Sequence, residues 1–158
     1  MKTLRSIFFL SLCLLLSIAG YAGDKASFLK KQFTARDGYQ LNYRVLYPRD
    51  YNPAQKYPVI LFLHGAGERG SDNEAQLIHG GDMFASFENQ TKYPAIIIAP
   101  QCPAEKTWSE YKGLNAGKEG KRFYPLNAPA TQSMAAVKGL LDSYIAEGKV
   151  DTKRIYVT

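Results

Sequence analysis

The sequence predicts an α/β domain that opens with an antiparallel hairpin and continues into a mostly parallel sheet with flanking helices. The first observation is Asp37-Gly38, a hairpin signal that lies between two strand-like segments. The second is a pair of short, continuously apolar runs at 59–63 and 95–99, which suit strands covered on both faces. The third is an amphipathic helical pattern at 131–147, followed by another strand-like segment.

The hairpin is predicted to pair residues 28–36 with residues 39–47. Glycine at position 38 accepts the positive φ that a type I′ turn requires, so we expect this turn at Asp37-Gly38. Apolar and polar residues alternate along the second strand, which predicts one buried face. The apolar positions are Leu41, Tyr43 and Val45, and the polar positions are Asn42 and Arg44.

Two weaker segments separate the apolar runs from the last helix. Residues 74–87 form a helical candidate that Gly80-Gly81 interrupts. Residues 100–129 form a long loop, and loops of this length inside a compact domain are usually functional or disordered. The aromatic side chains in this loop favour a packed one.

The helix at 131–147 has apolar residues at helical spacing, and Gly148 supplies its stop signal. The predicted core stripe consists of Met134, Val137, Leu141, Tyr144 and Ile145. Asp151 then leads into a strand-like segment, KRIYVT at 153–158, and the sequence ends inside this pattern.

Residues 1–22 are predicted to be a cleaved signal peptide. Lys2 and Arg5 precede an apolar run at 7–18, and small residues follow at the expected cleavage positions in Gly20-Tyr21-Ala22. The apolar run is too short and too poorly flanked to favour a spanning helix. We therefore expect residues 23–158 to be one secreted or periplasmic domain, with no stable membrane insertion after cleavage.

Charge and cysteine usage exclude several classes of function. The formal net charge of +6 becomes +4 without Lys2 and Arg5, and the remaining basic residues are interspersed with acidic ones, so no nucleic-acid face is expected. Cys102 is the only cysteine after residue 22, which indicates a buried or unpaired thiol and no disulfide framework. No residues have metal-ligand spacing, so we expect neither a metal nor a cofactor.

A glycine-rich loop follows the first apolar run and allows two interpretations. Gly65, Gly67 and Gly70 fit G-x-G-x-x-G, the spacing of a dinucleotide-binding turn. That turn requires a helix opening at the loop and an acidic residue at the tip of the next strand. Instead, Ser71-Asp72-Asn73 prolongs the loop and Pro100-Gln101 ends the next strand, so the dinucleotide interpretation is disfavoured.

The second interpretation rests on HGAG at 64–67, a sequence that often precedes the oxyanion hole of an ester hydrolase. Acyl transfer builds negative charge on a carbonyl oxygen, and preorganised backbone N–H groups stabilise it. We expect Ala66 to be the main donor and Gly67 the next. His64 is expected to orient the backbone by hydrogen bonding rather than to act as a base.

Other side chains near this loop have two possible roles each. Glu68 and Arg69, with Asp72, are expected to fix the loop through a local ion pair or else to touch a substrate. Trp108 and Tyr111 could line a substrate pocket, because the long loop would pass over the carboxyl edge of the sheet. Packing under the loop explains these two aromatic residues equally well.

The chain resembles secreted α/β-hydrolase esterases, of the polyhydroxybutyrate-depolymerase-like and feruloyl-esterase-like branch related to prolyl oligopeptidase. The resemblance covers about residues 39–158 and rests on YPVILFLHGAGERGSDN, on YPAIIIAPQCP, on Trp108-Ser109 and on VDTKRIYVT. It implies the N-terminal portion of an α/β-hydrolase fold. It also implies a serine nucleophile, an acid and a histidine in that chain order, acting on a small-molecule or polysaccharide ester.

In the family the nucleophile lies in G-x-S-x-G, on the turn after the strand that RIYVT resembles. This motif does not occur in the sequence, so no catalytic serine is assigned and the nucleophile is expected just after Thr158. We therefore expect an N-terminal half that ends before the nucleophile elbow and is inactive alone. The alternative is a non-catalytic hydrolase-like module that binds a glycan or a partner; the oligomeric state is left open.

Overall fold

The computed structural model describes residues 24–110, 125 and 127–158. Its five strands form one sheet in the order β1-β2-β4-β3-β5. The strands are β1 Leu29–Thr34, β2 Gln40–Leu46, β3 Tyr57–Leu61, β4 Ile96–Pro100 and β5 Val150–Val157. The helices are α1 Gly81–Ala85, α2 Phe87–Lys92 and α3 Gln132–Ala146, and three short 3₁₀ turns cover Lys25–Ser27, Ala66–Glu68 and Ala75–Leu77.

The predicted hairpin is confirmed, but its predicted turn type is wrong. β1 and β2 pair antiparallel from Leu29 opposite Val45 to Thr34 opposite Gln40. Gly38 alone has the left-handed φ of +83°, whereas a type I′ turn needs positive φ at both central residues. The amide of Ala35 donates to the carbonyl of Tyr39 over 2.8 Å, which closes a three-residue loop with glycine at its left-handed position.

The two apolar runs form parallel strands, as the sequence predicts, and the structure shows that these strands are adjacent. β4 pairs parallel with β3 on one side and antiparallel with β2 on the other, so the described sheet is mixed. Every residue of β4 is buried. β3 also pairs parallel with β5, and the carboxyl ends of β3, β4 and β5 therefore meet at one edge of the sheet.

The long helix is confirmed, because its boundary signals are local. Thr131 caps it by accepting a hydrogen bond from the amide of Met134 over 3.1 Å. Val137 and Tyr144 of the predicted stripe are buried. Leu140 is buried in place of Leu141, so the buried face is displaced slightly from the predicted one.

Residues 74–87 do not form one interrupted helix. The segment divides into the 3₁₀ turn Ala75–Leu77, helix α1 and the first residue of α2. Gly80 has φ +107°, a conformation that L side chains rarely adopt, and Ser86 is extended with ψ 143°. Gly80 therefore separates the 3₁₀ turn from α1, and Ser86 separates α1 from α2.

Apolar side chains cover both faces of the sheet. The larger cluster lies between the sheet and α3 and includes Val45, Val59 and Ile98. The smaller cluster lies on the other face, with Phe28, Leu46, Leu77, Ala95, Ile97 and Ala99. Together they hold the strands that deliver the glycine-rich loop to the carboxyl edge.

The last strand begins earlier than the sequence pattern indicates, at Val150 rather than Lys153. β3 is its only neighbour among the described strands, and Tyr156 and Val157 are 55% and 63% exposed. The predicted signal peptide at 1–22 lies outside the described residues. In the part of the chain that the structure describes, no helix has the length and apolar character needed to cross a bilayer.

Candidate active site

The glycine-rich loop leaves β3 at the carboxyl edge of the sheet and lies beside the end of β5. The amide of Leu63 donates to the carbonyl of Thr158 over 2.7 Å, and the amide of Thr158 donates to the carbonyl of Leu61 over 3.0 Å. The loop then makes the 3₁₀ turn Ala66–Glu68. The residue that precedes the loop is thus hydrogen-bonded to the end of β5.

His64 is buried at the start of this loop and bonds through both ring nitrogens. Its Nε2 accepts the amide N–H of Cys102 over 2.9 Å, and its Nδ1 lies 2.6 Å from the carbonyl oxygen of Gly65. Because Nε2 accepts, Nδ1 carries the proton and donates to Gly65. Burial lowers the pKa of His64, with smaller opposing effects from Gly65 and Glu68, so the neutral ring is favoured.

This contact orients the amide of Ala66. The carbonyl of Gly65 and the N–H of Ala66 belong to one planar trans peptide, in which they point in opposite directions. By holding the carbonyl, the ring of His64 turns the Ala66 N–H away from itself. The geometry agrees with the backbone-orienting role expected for His64.

Arg69 orients the next peptide in the same way. Its Nε donates to the carbonyl of Ala66 over 2.9 Å, and this carbonyl shares a peptide plane with the N–H of Gly67. Its Nη1 donates to the carbonyl of Lys106 over 3.1 Å, which fastens the turn to the neighbouring loop. Arg69 therefore fixes two backbone carbonyls.

Among the described residues, Arg69 forms no ion pair with Glu68 or Asp72, so the expected local ion pair is wrong. Arg69 instead donates from Nε and Nη1 to backbone carbonyls. Asp72 accepts the amides of Glu74 and Ala75 over 2.8 and 3.1 Å and closes a tight turn. These backbone hydrogen bonds lower the pKa of the Asp72 carboxyl group.

Glu68 folds back over the start of the loop. Its Oε2 lies 3.1 Å from the place where a Cβ on Gly65 would stand, so a side chain at position 65 would press on the carboxylate. Its Oε1 lies 3.4 Å from Nε2 of His79, whose side chain is 78% exposed. His79 is thus a surface residue, and it is a neighbour of Glu68 that the sequence did not indicate.

The amides of Ala66 and Gly67 remain accessible. Both residues are exposed, and neither amide has an acceptor within the described residues. Such donors, with peptide planes held by His64 and Arg69, can receive an anionic oxygen without first breaking a bond.

Trp108 packs against the loop. Its indole N–H donates to the carbonyl of His64 over 3.0 Å, and its ring meets the imidazole edge-on with 5.2 Å between centroids. The hydroxyl of Thr131, the cap of α3, donates to the carbonyl of Trp108 over 3.0 Å. These contacts support the packing alternative for Trp108, whereas Tyr111 lies outside the described residues.

Two residues that follow β4 hold the loop, and sequence reasoning assigned neither of them to this site. The carbonyl of Cys102 accepts the amide of Gly70 over 3.0 Å, in addition to the bond from the Cys102 amide to His64. The Cys102 thiol is buried, as expected, and burial raises its pKa. Gln101 is also buried and contacts the loop through its side chain. A polar residue directly after a fully apolar parallel strand was the available signal.

Among the residues that the structure describes, no three His, Cys, Asp or Glu side chains lie close enough to hold a metal ion. The expectation of no metal and no cofactor stays a prediction.

The chain is similar to solved structures of esterases. A thermostable esterase is 34% identical to the chain over 84% of its length, with a TM-score of 0.68, and the chain covers 34% of that protein. The chain has the N-terminal portion of an α/β-hydrolase fold. The sheet order and the helix before β5 agree with this fold, which confirms the predicted fold class and the resemblance to α/β-hydrolase esterases.

More distant α/β-hydrolase structures support the fold alone. A ferulic acid esterase from Anaeromyces mucronatus is 15% identical with a TM-score of 0.51, and the match covers 89% of this chain and 50% of that one. Thermogutta terrifontis esterase 2, phosphorylated by paraoxon, is 17% identical with a TM-score of 0.50, covering 85% and 43%. The chain thus spans between about a third and a half of these proteins. No protein-family model and no curated protein matches the sequence.

Proposed function

We propose that the chain is the N-terminal part of a serine carboxylesterase and that its loop at 64–69 supplies one side of the oxyanion hole. The observation that carries this proposal is the pair of exposed amides at Ala66 and Gly67, whose peptide planes His64 and Arg69 hold. In esterases of this fold, one oxyanion donor comes from the loop after the corresponding strand and another from the residue after the nucleophile.

The proposed mechanism divides the work between this chain and residues expected beyond Thr158. A serine hydroxyl attacks the ester carbonyl carbon while a histidine takes its proton, and the carbonyl oxygen becomes an oxyanion. The Ala66 amide, assisted by Gly67, donates to that oxyanion. The histidine then protonates the leaving alcohol, and water releases the acid from the serine by the same steps in reverse.

The contact between Thr158 and Leu63 supports this division of residues. The carbonyl of Thr158, the residue that follows β5, accepts the amide N–H of Leu63 over 2.7 Å, and Leu63 directly precedes His64. A nucleophile on the turn directly after β5 would therefore lie next to the proposed donors. In this proposal the described residues orient and stabilise, and they contribute no nucleophile, acid or catalytic base.

The proposed substrates are small-molecule or polysaccharide esters, including acetyl or feruloyl esters of plant polysaccharide. Ferulic acid esterases occur among the structures that share this fold, which makes a feruloyl ester a rational probe of the substrate class. The protein is further proposed to be exported, with residues 1–22 removed as a signal peptide. N-terminal sequencing of the mature protein should then begin at Gly23.

The test of the esterase proposal uses the protein encoded by the whole reading frame. It should hydrolyse p-nitrophenyl acetate, and a fluorophosphonate probe should label one serine in a G-x-S-x-G motif after residue 158. Replacing that serine by alanine is the matched control and should abolish both signals. A stop codon directly after Thr158, or a folded product with neither hydrolysis nor labelling, would favour the non-catalytic binding module.

A further inference from the structure

Gln101 is the first residue after β4, and its side chain is directed into the loop that follows β3. It is 1% exposed, and its amide N–H donates to the carbonyl of Asn42 over 2.8 Å. Its Oε1 accepts the amide of Asn73 over 2.7 Å. Its Nε2 donates to Oδ1 of Asp72 over 2.6 Å and to the carbonyl of Glu68 over 3.3 Å.

Gly70 makes room for this side chain. Nε2 of Gln101 lies 3.3 Å from the place where a Cβ on Gly70 would stand, which is tighter than an ordinary contact. The third glycine of the G-x-G-x-x-G pattern therefore has a packing role in this fold. The buried amide passes next to the loop backbone and reaches both ends of the segment at 68–73.

Asn73 fixes the far end of the same segment. It is the only non-glycine residue with positive φ in the described part of the chain, at 55°. Its side-chain amide donates to the carbonyls of Lys31 and Tyr43 in the first two strands, each over 3.2 Å. Asn73 is thus anchored to the sheet, and Gln101 connects this anchor to Glu68.

Glu68 is the last residue of the 3₁₀ turn that carries the proposed oxyanion donors. We infer that Gln101 is a positioning residue, which acts through Glu68 and the segment at 68–73 to hold the Ala66 and Gly67 amides in place. The inference rests on the proposed function for its effect on catalysis. The side-chain amide of Gln101 makes three hydrogen bonds, and no smaller or apolar residue can reproduce them.

The experiment compares variants of the protein encoded by the whole reading frame. Gln101→Leu removes the side-chain hydrogen bonds, and Gln101→Glu keeps the size and one acceptor but sets a carboxylate against Asp72 and the carbonyl of Glu68. Gln90→Leu is the matched control. Gln90 is also a buried amide, 9% exposed, but it bonds to the carbonyl of Phe84 in the helical region away from the loop.

We expect both Gln101 variants to lower kcat for p-nitrophenyl acetate by about 10- to 100-fold while KM changes by less than about threefold, because oxyanion contacts form only in the transition state. Hydrogen–deuterium exchange in peptides covering residues 64–73 should be at least about tenfold faster. Gln90→Leu should leave kcat, KM and the exchange rate at residues 64–73 unchanged. If Gln101→Leu does not fold, the comparison of Gln101→Glu with the unsubstituted protein decides the inference.

Two results would overturn the inference: unchanged exchange at 64–73 in the Gln101 variants, or a raised KM with unchanged kcat. Failure of the proposed function is distinguishable, since it would remove esterase activity from the unsubstituted protein. In that case the exchange measurement still decides whether Gln101 holds the loop, and a loop that is unaffected would overturn this inference as well.

Discussion

The backbone N–H of Cys102 donates to Nε2 of His64 over 2.9 Å and so joins the exits of two parallel strands. The opposite ring nitrogen holds the carbonyl of Gly65 at 2.6 Å. A single buried imidazole therefore connects β4 to the first peptide of the proposed oxyanion loop.

Replacing His64 by leucine should destabilise the fold. The change leaves the buried amide of Cys102 without its acceptor and releases the carbonyl of Gly65, and an unsatisfied buried polar group costs about 1–3 kcal/mol. The free energy of unfolding in urea measures the effect. His79→Ala, at a 78% exposed side chain, should stay within about 0.5 kcal/mol of the parent and is the control.

Acid should weaken the fold through His64. Because burial lowers its pKa below the unfolded value of 6.5, the unfolded chain binds the proton more readily. The stabilisation is fully present above pH 6.5 and is lost as pH falls through the lowered pKa. Glu68, whose Oε2 lies 4.0 Å from Nδ1, and Arg69 are the charged groups that face the ring.

Urea unfolding at pH 7.5 and at pH 5 measures this loss. His64→Gln keeps a neutral donor and acceptor and does not titrate, so its free energy of unfolding should fall less between the two pH values. Equal pH dependence in the parent and in this variant would contradict the assignment. The comparison cancels the carboxyl groups, which titrate lower and are common to both proteins.

Arg69→Ala should lower kcat more than it raises KM. The change frees the carbonyl of Ala66, whose peptide carries the Gly67 amide, and detaches the turn from Lys106. Steady-state hydrolysis of p-nitrophenyl acetate by the whole protein measures it, with a decrease of about tenfold or more expected. Arg154→Ala, which removes an exposed contact to Asp151, should leave both constants unchanged.

Gly70→Ala should be more destabilising than Gly67→Ala. A Cβ at position 70 would stand 3.3 Å from Nε2 of Gln101, whereas a Cβ at position 67 would meet nothing within 4 Å. We expect a difference of about 1 kcal/mol in the free energy of unfolding, from the displacement of a packed amide. Urea midpoints of the two variants that do not differ would refute the tight fit around Gln101.

The sequence was sufficient for the long helix and the two parallel strands, whose signals are local. Thr131 and Gly148 mark the ends of α3, and two apolar runs mark the adjacent parallel strands. The turn at Asp37-Gly38 was misassigned, because the same pair of residues fits a two-residue or a three-residue loop. Which of the two forms depends on strand register, which a short sequence pattern does not define.

The loop was recognised from HGAG, but its supports were not. His64 was expected to bond to backbone, yet its partner, Cys102, lies 38 residues away in the sequence. Gln101 reaches Asn73 across 28 residues. Such contacts exist only after β3 and β4 pair, and no periodicity or motif in the loop itself encodes them.

This separation along the chain has a consequence for protein engineering. The ten residues of HGAGERGSDN do not contain the information for their own shape, since Gln101 and Cys102 bond to them at five points. A graft of this loop onto another parallel sheet would keep its conformation only if the first two residues after the neighbouring strand were transplanted with it. The loop sequence alone is therefore not a transferable unit.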